Sequence, residues 1–252
     1  MTVTFEPDIQ GIEVCPSPNF GERKNDRSID TLIIHYTGMQ TGQAAQDWLC
    51  NKESQVSCHY IVHEDGRIAQ MVREADRAWH AGKSFWKGEE DINSCSIGIE
   101  IVNGGHDYGM PDFPEEQMIS VVKLSQSIVA RNAIPAQRVL AHSDVAPVRK
   151  VDPGEKFNWK LLAQSGVGHW IEQTPITGGR YFCEGESGQP IEALQAMLSL
   201  YGYKIDVNGA FDAQTKGVVE AFQRHFRVER IDGVADASTI DTLHRLLKSI
   251  EN

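Results

Sequence analysis

Thr31-Leu32-Ile33-Ile34-His35-Tyr36 is the stretch from which the fold can be read. Branched and aromatic side chains fill it, so it reads as a β-strand with a histidine near its end. Working outward, runs of the same character at residues 59–63, 68–72, 96–102 and 138–141 read as further strands. The turn His63-Glu64-Asp65-Gly66 joins two of them as a hairpin connection. Helical spacing appears at residues 43–51 and, more strongly, at 115–132, which opens after Pro114 with Glu115 and Glu116 in its first turn. Strands interleaved with helices in this order imply an α/β layer built around one sheet.

The pattern changes beyond this region. From about residue 165 to 190 the chain turns to Gly, Ser, Thr and Pro, and residues 179–189 read as a linker between domains. Three helical stretches follow, at residues 191–201, 213–226 and 238–249. Two related turns separate them. Asn208-Gly209-Ala210-Phe211-Asp212-Ala213-Gln214-Thr215 and Asp232-Gly233-Val234-Ala235-Asp236-Ala237-Ser238-Thr239 share one frame, the mark of a duplicated turn-plus-helix unit. The expected division is therefore residues 1–178, a linker at 179–189, and a small C-terminal three-helix domain at 190–252. A cut near Gly179 is expected to sever few core contacts.

Bulk properties narrow the function classes. The 252 residues carry a formal net charge of -11, and their cations are scattered, which argues against a phosphate-binding face and hence against nucleic acid. No apolar run approaches the roughly 20 residues that a membrane-spanning helix needs. Residues 1–20 lack a basic cluster followed by an apolar core, so they do not read as a secretory signal. Cys15, Cys50, Cys58, Cys95 and Cys183 are odd in number and show no CxxC spacing, which fits reduced thiols better than a disulfide framework.

The candidates for chemistry lie in a few segments. Standing alone, His35 would read as a satisfied core histidine. A second segment, Ala141-His142-Ser143-Asp144 through Arg149-Lys150-Val151-Asp152-Pro153-Gly154, packs a histidine, two carboxylates and two cations into one turn-rich stretch. Two imidazoles and one carboxylate form a zinc set that leaves the fourth tetrahedral position open to water, and His35, His142 and Asp152 can supply it. Glu100 ends an apolar run, where a carboxylate is unexpected unless it faces a cleft. Alternation alone also allows an outward edge-strand glutamate there.

Five motifs in order, spanning about residues 27–159, carry a resemblance. They are Ile34-His35-Tyr36-Thr37, Ser57-Cys58-His59-Tyr60 with Asp65-Gly66-Arg67-Ile68, Ala78-Trp79-His80-Ala81-Gly82, Ser96-Ile97-Gly98-Ile99-Glu100-Ile101, and the segment from Ala141 to Gly154. Together they resemble the zinc N-acetylmuramoyl-L-alanine amidases related to peptidoglycan recognition proteins, phage amidase lysozymes and 1,6-anhydromuropeptide amidases. The resemblance implies a central mixed β-sheet flanked by helices. It also implies Zn2+ held by His35, His142 and Asp152, with Glu100 as general acid and base and Lys150 stabilising the oxyanion. His80 resembles a position lining the substrate groove, with a simple structural histidine as the alternative, and Arg149 is a candidate for bidentate contact with a substrate carboxylate, with a plain surface arginine as the alternative. Some phage members place a tyrosine where this chain has Cys58. A thiol cannot copy that hydroxyl, so the chain groups with members that use the glutamate.

Residues 190–247 resemble the small three-helix peptidoglycan-binding module, through Leu194-Gln195-Ala196-Met197-Leu198, Asn208-Gly209-Ala210-Phe211-Asp212, Ala221-Phe222-Gln223 and Asp232-Gly233. The implied partner is peptidoglycan or a muropeptide. The alternative is a recognition protein that keeps this fold but has lost its zinc set. Compartment cues oppose one another: the N-terminal reading suggests the cytoplasm, whereas a wall-binding module suggests the periplasm or cell envelope. Nothing in the sequence fixes the oligomeric state.

Overall fold

The computed structural model describes residues 5–250, so Met1 and Asn252, the outer limits of the expected domains, lie outside the described residues. In chain order the elements are β1 (Glu13–Val14), β2 (Phe20–Gly21), β3 (Thr31–Tyr36), α1 (Gly42–Leu49), β4 (Tyr60–Val62), β5 (Ile68–Gln70), β6 (Arg77–Ala78), α2 (Ile92–Cys95), β7 (Ser96–Ile101), α3 (Glu115–Asn132), β8 (Val139–Ala141), α4 (His142–Val145), α5 (Trp159–Gln164), α6 (Gln189–Tyr201), α7 (Ala213–Phe226) and α8 (Ala237–Ile250). They form two compact units that do not follow chain order. The first holds the described residues up to Lys83, Asp91–His142 and Asp152–His169, and the second holds Ser84–Glu90, Ser143–Val151 and the chain from Trp170 onward.

The first unit is built on a six-stranded mixed sheet of order β1-β5-β4-β7-β3-β8. Strands β4, β7, β3 and β8 run parallel, and the β4–β5 hairpin adds the antiparallel pair. A parallel strand buried on both faces needs a continuous apolar run rather than alternation. β3 meets this condition: Leu32, Ile33 and Ile34 are wholly inaccessible. Helix α3 packs on β3 and β4. It begins after Pro114, where Glu115 and Glu116 face the positive end of the helix dipole, and it buries Met118, Val121, Leu124 and Ile128 along one stripe. Gln117 on that stripe donates through Nε2 to Val62 O and Val102 O, which satisfies backbone at the ends of β4 and β7. The expected strand at 138–141 starts one residue later, because Arg138 closes a 3-10 turn at 136–138 with its amide donating to Pro135 O. β1, β2 and β6, of two residues each, are too short to carry an alternation signal and were not expected.

The second unit contains the repeat. Gly209 and Gly233 occupy matching left-handed conformations, φ 72° and 71°, and Asp212 and Asp236 each accept a hydrogen bond from the amide three residues on, at Thr215 and Thr239. Residues 179–189 are tied into this unit, for Phe182 and Ser187 bridge to Ala235 and Ala210. Trp86 packs edge-on against Tyr201 and Tyr203. The buried Asp144 carboxylate accepts from Tyr203 Oη at 2.7 Å and lies 2.7 Å from His225 Nδ1. A cut near Gly179 would remove the partners of both residues, so it severs core contacts, contrary to the expectation from sequence.

Candidate active site

Parallel strands bring the site together at their C-terminal ends, the usual place for a crevice in an α/β sheet. His35 is the fifth residue of β3, Glu100 the fifth of β7, and His142 follows the last residue of β8. His35 and Glu100 are register partners on adjacent strands and therefore share a face of the sheet. Asp152 completes the set from the loop that re-enters the first unit.

The three expected ligands meet. His35 Nδ1 lies 2.9 Å from His142 Nδ1 and 3.0 Å from Asp152 Oδ2, and His142 Nδ1 lies 3.0 Å from the same oxygen. All three residues are buried. His142 Nε2 faces Ala81 O at 3.1 Å. A carbonyl can only accept, so this nitrogen carries the proton and Nδ1 presents a lone pair. Acceptor atoms gathered in this way suit a divalent cation: ligands 2.0–2.1 Å from a tetrahedral zinc would stand about 3.3 Å apart, close to the observed spacing.

The other expected residues are placed less uniformly. Glu100 is half-buried beside Cys58, whose own thiol is fully buried and lies 3.6 Å from Met71 Sδ. Lys150 and Arg149 belong to the second unit, where both backbone amides donate to Ala146 O. Arg149 is exposed and Lys150 half-buried. His80, for which a groove-lining and a structural reading were both open, stands behind His35. It is 8% exposed, its Nδ1 is 3.0 Å from His35 Nε2, and its Nε2 is 3.2 Å from Ser96 Oγ. With both ring nitrogens engaged it has none to offer a substrate. Burial, then the neighbouring imidazoles, push His80 far below the ordinary histidine range, and burial with the Arg23 charge brings His59 down to about 3. Both rings are thus neutral at ordinary pH.

Sequence reasoning passed over the neighbours that hold these groups. Asn93 Oδ1 accepts from both His80 N and Ala81 N, at 3.1 and 2.8 Å. Tyr36 Oη meets His106 Nδ1 at 3.0 Å, and His106 Nε2 meets Glu155 at 3.0 Å. No single motif signals such contacts, because they join residues brought together only by the sheet.

Residues 25–155 match the family model described as N-acetylmuramoyl-L-alanine amidase. The chain belongs to the N-acetylmuramoyl-L-alanine amidase family. Residues 187–243 match a second model, described as a putative peptidoglycan binding domain. Among curated relatives, the N-acetylmuramoyl-L-alanine amidase AmiD of Escherichia coli is 35% identical over 236 residues, covering 87% of this chain and 83% of that protein. The solved complex of Escherichia coli AmiD with the substrate anhydro-N-acetylmuramic acid-L-Ala-D-gamma-Glu-L-Lys superposes with a TM-score of 0.75 at 32% identity, over 92% of this chain and 98% of that one. AMPDH3 from Pseudomonas aeruginosa, in complex with anhydromuramic pentapeptide, gives a TM-score of 0.73 at 28% identity, over 98% and 99% of the two chains. The mixed sheet flanked by helices and the helical C-terminal region are those of the amidase relatives.

Proposed function

We propose that this amidase hydrolyses the amide between the lactyl group of N-acetylmuramic acid and L-alanine, in peptidoglycan or anhydromuropeptides, with zinc held by His35, His142 and Asp152. The observation that carries this reading is the convergence of those three ligand atoms within 3.0 Å of one another. Zinc bound there would supply the Lewis acid that polarises the amide carbonyl and acidifies water. Glu100, sharing a sheet face with His35, takes a proton from the attacking water and returns it to the departing L-alanine nitrogen as the C–N bond breaks. Lys150 offers its cation to the oxyanion, and Arg149 offers a fork of donors to a stem-peptide carboxylate. A recognition protein that binds without cutting would be marked by a missing ligand, and Asp152 is present.

The C-terminal repeat region, residues 190–252 in the linear division, acts as the wall-binding module. It raises the local concentration of amidase on a polymer without taking part in bond breaking. This role favours the cell envelope as the place of work, and fractionation of the native gene product tests it. The described residues contain no helix long and apolar enough to cross a membrane.

Mass spectrometry of digested muropeptides tests the reaction. Intact sugar and a freed peptide with an L-alanine N-terminus are expected, lost on chelation and restored by zinc. Cleavage between sugars, or within the stem peptide, would overturn the assignment.

A further inference from the structure

His80 belongs to a chain of hydrogen bonds whose direction can be worked out from its far end. Ser96 Oγ lies 2.6 Å from Ile92 O, a carbonyl that can only accept, so the single hydroxyl proton points there. The same oxygen must then accept from His80 Nε2–H, 3.2 Å away. That leaves His80 Nδ1 with a lone pair, and His35 Nε2, 3.0 Å from it, must be the donor. His35 Nδ1 is in consequence unprotonated and faces His142 Nδ1 and Asp152 Oδ2.

Two features show that this arrangement is built rather than incidental. Gly98 on β7 lies directly under the imidazole, where an added Cβ would come within 2.5 Å of His80 Cγ, so only glycine leaves room for the ring. Asn93 fixes the backbone on which His80 and Ala81 stand, and Arg23 in turn donates to Asn93 O and Ser96 O. The tripeptide Trp79-His80-Ala81 therefore reaches both ligand imidazoles, one through the His80 ring and the other through the Ala81 carbonyl.

We infer that His80 is a positioning residue, which with Ser96 and Gly98 holds His35 in the tautomer whose Nδ1 carries the lone pair that would ligate the metal. The inference rests on the zinc reading above. Outer partners of this kind typically carry about 10- to 100-fold in metal affinity, because they fix both the tautomer and the angle of the ligand ring. His80→Leu removes the acceptor, while His80→Asn places an amide oxygen near the position of Nδ1.

The test is zinc affinity, measured by competition with a chromogenic chelator on the full chain, together with the imidazole 15N spectrum of the metal-free protein. The parent is expected to bind one zinc and to show His35 as the Nε2–H form. His80→Leu should bind zinc about 10- to 100-fold more weakly with a mixed His35 tautomer, and His80→Asn should recover most of the loss. Gly98→Ala, which keeps the imidazole but displaces it, should weaken zinc in the same direction. A folded His80→Leu that keeps both parental affinity and the His35 tautomer overturns the inference. If His80→Leu does not fold, Ser96→Ala decides: it should shift the His35 tautomer, and an unchanged spectrum overturns the inference equally. A parent that binds no zinc would instead defeat the metal reading itself.

Discussion

The His35–His142–Asp152 cluster of the first unit and the glutamine-centred turns of the second are both rich in polar atoms, and they differ in whether they close on themselves. In the second unit Gln195 Oε1 accepts from Asn208 N and Gly209 N, while its Nε2 donates toward Ala210 O, Thr215 Oγ1 and Asn208 Oδ1. Gln223 repeats the pattern with Asp232 N, Gly233 N, Val234 O, Thr239 Oγ1 and Asp232 Oδ1. Each amide thus matches two lone pairs and two protons to protein partners. In the first unit His35 Nδ1, His142 Nδ1 and Asp152 Oδ2 face one another at 2.9–3.0 Å, and in the tautomers inferred above all three are acceptors. A closed network supports a fold, whereas acceptors turned toward one another call for a cation.

The sharpest way to break this contrast is Asp152→Ala. It removes a ligand and the negative charge that offsets the metal, so zinc is lost and turnover falls below detection, while the sheet stays folded. Metal content by atomic absorption and turnover on anhydromuropeptide are the measurements; parental activity would exclude Asp152 as a ligand. Glu100→Gln separates proton transfer from metal binding. An amide fills the same space without relaying a proton, so zinc should be retained and kcat should fall about 10²- to 10⁴-fold. Loss of the metal in this variant would move Glu100 into the ligand set.

How much of this was legible in the sequence depends on the range of the interactions. β3 and α3 could be read because a buried parallel strand and an amphipathic helix write their environment into consecutive residues. The repeat could be read because its two turns spell the same capping chemistry twice. The ligand set came from motifs, and spacing alone could not show that residues 35, 142 and 152 meet. For His80 the motif left a groove-lining and a structural reading open, and its contact with His35 Nε2 joins residues 45 apart in sequence, which no local pattern reveals. The linear domain division had no access to residues 84–90 and 143–151, since their place in the second unit depends on Trp86 and Asp144 finding Tyr201, Tyr203 and His225.

The smallest effect on turnover, and the finest probe of the comparison, comes from the glutamines. Gln195→Ala orphans the buried amide of Gly209 and takes one partner each from Asn208 N and Ala210 O, and Gln223→Ala does the same to Gly233 N, Asp232 N and Val234 O. Orphaned buried groups cost about 1–3 kcal/mol, so each variant should lose about 2–3 kcal/mol in urea unfolding, with kcat on a soluble muropeptide near the parental value at 25 °C. The two hubs share no hydrogen-bond partner. Their losses should therefore add to within about 0.5 kcal/mol in the double variant. Equal single losses with additivity would show that the duplicated sequence builds two independent, self-satisfied turns. A loss at one glutamine only, or strong coupling between them, would mean that the repeat in sequence is not a repeat in energy, and the contrast with the metal cluster would then hold for one hub rather than for the module.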